Sequence, residues 1–126
     1  QHGVYIHCGS ITEAAPGGLP FNTTLLFSPD GQIQALYRKL HLLDVEMEDG
    51  PSYRESAEIA PGSEVVVAEP YFASLGLSIC YDIRFPELYC LQGDRGKTLG
   101  NTAQSQSGGK HRLRACSGTV RKKDGV

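Results

Sequence analysis

Leu75-Gly-Leu-Ser-Ile-Cys-Tyr-Asp-Ile-Arg-Phe-Pro-Glu-Leu88 reads as a buried strand ending at Cys80, a tight corner, and a helix that opens around Pro86. Leu75, Leu77 and Ile79 alternate with Gly76 and Ser78, the pattern of a strand packed on one face and closely approached on the other. Pro86 suits the first turn of a helix, where its missing N–H would have no partner. Glu87 suits the positive end of the helix dipole. The corner lifts the Cys80 thiol to a strand end beside backbone N–H groups that favour negative charge, and a thiolate there can be a nucleophile. A cysteine ending an apolar strand is more often inert core, so the assignment needs support from the rest of the chain.

At 126 residues the chain makes at most one ordinary domain. Residues 1–92 carry 4 Lys/Arg against 12 Asp/Glu and residues 93–126 carry 8 against 2, balances of −8 and +6 that give the net −2. That asymmetry marks 93–126 as a basic Gly/Ser-rich tail of separate character. With seven Gly, no aromatic residue and no apolar period, the tail is expected to be disordered. Cys8, Cys80, Cys90 and Cys116 show no paired spacing and read as free thiols of a reducing, cytoplasmic setting, with a mitochondrial one as the alternative. No apolar run is long enough to span a bilayer, so no membrane partner is expected.

Val4 to Cys8 is a β-branched and aromatic run that reads as a buried strand, and residues 9–20, with Pro16-Gly17-Gly18 and Pro20, read as a loop. Asn22–Ser28 and Ile33–Arg38 flank Ser28-Pro-Asp-Gly31, a turn sequence that joins them as a hairpin. Residues 39–63 form a connection long enough to suggest a function. Glu64–Ala68 is a further strand, antiparallel to the one that carries Cys80, and the helix from Pro86 is expected to meet its end at Gly93.

Three residues stand in a working relation to Cys80, one of them Tyr81, which contributes only its backbone N–H in the turn after the thiol. Lys39 follows the hairpin's second strand at once, and Glu55 lies in the long connection. Each also reads, more blandly, as a solvated loop charge. A cation near the thiol would favour the thiolate and later an oxyanion, and a carboxylate would hold the cation.

Tyr37-Arg-Lys-Leu-His-Leu-Leu-Asp44, Tyr53-Arg-Glu-Ser56, Pro61-Gly62 and Leu77–Leu88 together resemble the carbon–nitrogen hydrolase (nitrilase) superfamily. The nearest branch is that of deaminated glutathione amidase and omega-amidase. The separations of 16 residues from Lys39 to Glu55 and 41 from Lys39 to Cys80 fit that branch, and the resemblance covers residues 1–92. It implies an α/β fold, the central part of an α-β-β-α sandwich, and hydrolysis of a small-molecule amide through a Cys thioester, with no cofactor and no metal. Carried over, Cys80 is the nucleophile, Lys39 stabilises the oxyanion together with the backbone N–H of Tyr81, and Glu55 positions Lys39. His41 and Asp44 belong to the lysine motif without a catalytic role, and Arg84 is expected to support the corner or line the pocket.

The superfamily's general base is a Glu upstream of the strand at Val4, and no residue of this sequence matches it; Glu13 lies in no such motif. The resemblance also lacks the family's later strands, so the central sheet is expected to have open edges and to self-associate, as a homo-oligomer or on an intact subunit. The alternative function is thus that of an inactive variant acting only through such association. Basic residues at Lys110, Arg112, Arg114, Arg121, Lys122 and Lys123 lack the aromatic interleaving or folded module of specific nucleic-acid recognition. His2, His7, Cys8 and His41 have no metal-ligand spacing.

Overall fold

The computed structural model describes residues 3–48 and 50–100. Its first sheet is an antiparallel meander of β1 (Ile6–Glu13), β2 (Phe21–Phe27) and β3 (Ile33–Arg38). The hairpin between β2 and β3 forms where the turn sequence places it. Gly31 takes φ +83 and its N–H donates to the Ser28 carbonyl at 2.9 Å, a conformation a side chain would resist. As the central strand, β2 buries Thr23, Thr24 and Leu26, while β1 at the edge is mostly exposed.

The first strand corrects the sequence reading twice. It continues to Glu13 through residues expected to be loop, and it is not buried. Polar pairs rather than apolar alternation hold it. The Thr24 hydroxyl donates to the Cys8 carbonyl at 2.5 Å, and the Thr23 hydroxyl donates to Glu13 Oε2 at 2.6 Å. Arg38, opposite Thr23 on β3, completes the row with bonds of 2.9 and 2.5 Å to Glu13. The register shifts between Cys8 and Ile11, where Gly9 and Ser10 form a bulge.

The long connection after Lys39 is built rather than loose. Two short strands, β4 (Asp44–Val45) and β5 (Tyr53–Arg54), pair antiparallel and lead into a 3-10 turn over Glu55–Ala57. Asp44 of β4 ties that turn back, accepting from the Ser56 N–H at 3.0 Å and the Ser56 hydroxyl at 2.6 Å.

β6 (Val67–Ala68) and β7 (Leu75–Gly76) are antiparallel neighbours as expected, but far shorter than their apolar runs suggest. One further bond, Leu77 N–H to the Val66 carbonyl at 3.2 Å, extends the ladder. Cys80 then opens a 3-10 turn over Cys80–Arg84, and α1 runs Pro86–Gly100. The helix therefore passes through Gly93, where the sequence suggested an end, and takes in residues 93–100 of the segment expected to be disordered tail; the rest of that segment, 101–126, lies outside the described residues.

Leu77 and Ile79 pack with Tyr37 of β3, flanked by Ala35, Leu40 and Val66, and this is the core. On the other face, Gln92 of α1 donates from Nε2 to the Leu77 carbonyl at 2.6 Å. A Cβ at Gly76 would overlap the Gln92 side chain, so the small residue is what lets the helix approach. Among the described residues Cys8 and Cys80 are free thiols.

Candidate active site

Lys39 ends β3 and is held by its backbone before its side chain does anything. Its N–H donates to the Asn22 carbonyl at 2.8 Å, and its carbonyl accepts from the Gly62 N–H at 2.7 Å. Gly62 must be glycine for this approach, since a Cβ there would run into the Arg38 backbone carbonyl. The lysine is therefore no solvated loop residue. Only 3% of its side chain is exposed, and its ammonium donates to Glu55 Oε2 at 2.6 Å.

Glu55, 7% exposed, also accepts the Leu43 N–H at 2.7 Å on the same oxygen. Burial pushes its carboxyl pKa up, but the Lys39 hydrogen bond, the Leu43 N–H, the Lys39 charge and the Asn22 side chain outweigh it. The net shift is downward from the ordinary 4.5. The structure thus brings together the two residues that the motifs paired across 16 positions.

Cys80 sits at the start of the 3-10 turn with φ +48, the one non-glycine residue at positive φ among the described residues. L-residues resist that region, and such strain recurs at functional sites. Its thiol is exposed, not core filling. Tyr81 follows in the turn, its ring edge-on to Phe85 at 5.5 Å. Arg84 closes the turn and is exposed.

The corner and the lysine's strand end are joined through a residue that sequence reasoning passed over. Asp82 is fully buried. Its Oδ2 accepts from the Tyr37 hydroxyl at 2.7 Å and the Ile79 N–H at 2.9 Å; its Oδ1 accepts from the His41 N–H at 3.0 Å and His41 Nδ1 at 2.7 Å. Tyr37 and His41 flank Lys39, and Ile79 precedes Cys80. The His41 ring lies flat on Phe85, 3.7 Å between centroids. Burial, then the hydrogen bond and charge of Asp82, raise the Tyr37 pKa above its ordinary 10. The signal was available in the sequence: Tyr37, His41 and Asp82 all lie inside the two long motifs.

No group of three or more His, Cys, Asp or Glu residues is arranged to hold a metal ion among the described residues. The family model for carbon-nitrogen hydrolase matches residues 1–114. The chain belongs to the carbon–nitrogen hydrolase family. Solved structures share its fold: the Caenorhabditis elegans NitFhit protein matches with a TM-score of 0.68 and 37% identity over 75% of this chain and 24% of its own. Saccharomyces cerevisiae Nit3, a member of branch 10 of the nitrilase superfamily, matches with a TM-score of 0.63 and 30% identity, over 75% of this chain and 31% of its own. Among curated relatives, the deaminated glutathione amidase of Synechocystis sp. is 49% identical over 78 residues, 60% of this chain and 29% of that protein. The human omega-amidase NIT2 is 39% identical over 96 residues, 76% of this chain and 34% of that protein. The chain thus spans about a third or less of the relatives it matches.

Proposed function

We propose that the chain carries the nucleophile half of an amidase site, in which Cys80 attacks the carbonyl carbon of a small-molecule amide. The observation that carries this reading is the buried Lys39–Glu55 pair, whose strand end is bonded through Asp82 to the strained corner that presents Cys80. A buried ammonium has a use that a solvated one lacks, because its field is little screened. Lys39 and the Tyr81 backbone N–H would stabilise the oxyanion of the tetrahedral intermediate. Collapse breaks the C–N bond, releases ammonia or an amine carrying a proton, and leaves an acyl thioester on Cys80. Water then adds to the thioester, giving the acid and the free thiol. On the family resemblance, the acid–base group that moves these protons is a Glu upstream of the strand at Val4. The names of the relatives point to ω-amides of small carboxylic acids as the substrate class.

Substrate protection tests this reading. A small ω-amide should slow alkylation of Cys80 by iodoacetamide and leave Cys8 unaffected. Equal rates at Cys80 with and without the amide, across the accessible concentrations, would contradict it.

A second reading, association through the open sheet, draws on the exposed edge strand β1 and the exposed apolar residues Val4, Ile6 and Ile11. On that reading the chain docks on a second copy or an intact subunit.

A further inference from the structure

We propose that Asp82 is a positioning residue that sets the sulfur of Cys80 in register with the ammonium of Lys39; the inference rests on the amidase reading. One fully buried carboxylate fills its acceptor positions with four donors drawn from two distant segments. Three of the donors come from Tyr37 and His41, on either side of Lys39, and the fourth is the N–H of Ile79, one residue before Cys80. The residues two positions from Lys39 on each side and the corner itself therefore share a single anchor. Tyr37 is saturated in turn, its hydroxyl donating to Asp82 and accepting the Leu40 N–H at 3.3 Å. Backbone at positive φ persists only where its surroundings over-determine it. At Cys80 the bond from Ile79 N–H to Asp82 and that from Asp82 N–H to the Ile79 carbonyl at 3.1 Å supply the restraint.

Neutral asparagine at this site cannot do the same. It offers one acceptor oxygen in place of two, and its NH2 would face donors. Asp82→Asn should therefore loosen the corner against the strand end while leaving the Lys39–Glu55 pair, which Asp82 does not touch. The test is a double-mutant cycle on the alkylation rate of Cys80 in the full chain, with Cys8 of β1 as internal control. In the otherwise unaltered chain, Lys39→Met should slow alkylation of Cys80 by about tenfold, because on the amidase reading the field of the buried ammonium acts on the attacking sulfur. In the Asp82→Asn background the same substitution should change the rate by less than about twofold, with Cys8 unaffected.

A Lys39→Met effect that persists at full size in Asp82→Asn overturns the role of Asp82 and leaves the amidase reading intact. No effect of Lys39→Met in either background overturns the amidase reading itself. If Asp82→Asn speeds Cys8 as well, the fold as a whole has loosened. Tyr37→Phe, which removes one of the four donors and keeps the ring, then decides by the same criterion.

Discussion

Cys80 combines an exposed thiol with a backbone angle that favours glycine. Replacing it tests whether the strain is real. Cys80→Gly should be more stable than Cys80→Ala by about 1 kcal/mol, since alanine keeps the left-handed penalty and glycine relieves it; equal denaturation midpoints would count against strain at the corner. Lys39 and Glu55 make the opposite point, that a buried charge is stable only with its partner. Glu55→Ala would leave a buried ammonium alone and should cost about 3–5 kcal/mol, read by chemical denaturation. The carboxylates also set an acid limit. Hydrogen bonds from Arg38 and Thr23 hold Glu13 down from 4.5 to about 2, and Glu55 is lowered as well. A lowered folded-state pKa contributes stability above the ordinary value and loses it as pH falls through the folded one. The unfolding midpoint should therefore hold above about pH 5 and decline between 4.5 and about 2, with a shallower decline in Glu13→Gln.

The hairpin of β2 and β3 was legible because Ser28-Pro-Asp-Gly31 specifies its own geometry. So was the small-residue face of β7, where Gly76 admits Gln92. What escaped was structure held by polar groups. β1 runs on to Glu13 on the row formed with Thr23 and Arg38, and no apolar period announces that. α1 passes Gly93 with Gln92 and Arg95 bonded to the carbonyls of Leu77 and Val65, where an apolar stripe would have been sought. Asp82 was missed for a related reason: an acid in a turn reads as solvated until its three distant donors, 41 to 45 residues away, are seen. Lys39 and Glu55 could be paired from the motifs, but their burial could not. The two close approaches make a graded prediction. Gly76→Ala meets a side chain that can move and should cost about 1–3 kcal/mol. Gly62→Ala meets the Arg38 backbone, so it should cost more and also slow the reaction of Cys80 through the displaced Lys39.

The described part of the chain leaves much apolar surface open. Val4, Ile6, Ile11 and Ile33 are exposed, and Tyr71, 79% exposed, forms a ring cluster with Tyr5 and Phe72. An open edge strand bearing such residues invites pairing. The mass of the chain in solution should therefore fall on dilution, and Ile11→Lys should shift it toward the monomer; a monomeric mass at every concentration would refute this. Relatives three times as long have more chain with which to cover a sheet, and the same consideration bears on activity. Acylation of Cys80 is the step on which the amidase reading rests. Intact mass after incubation with a small ω-amide, followed by peptide mapping, should show one acyl adduct on Cys80 that is absent in Cys80→Ala and reduced in Lys39→Met. An adduct on Cys8 instead, or one at Cys80 that is indifferent to Lys39→Met, would contradict it.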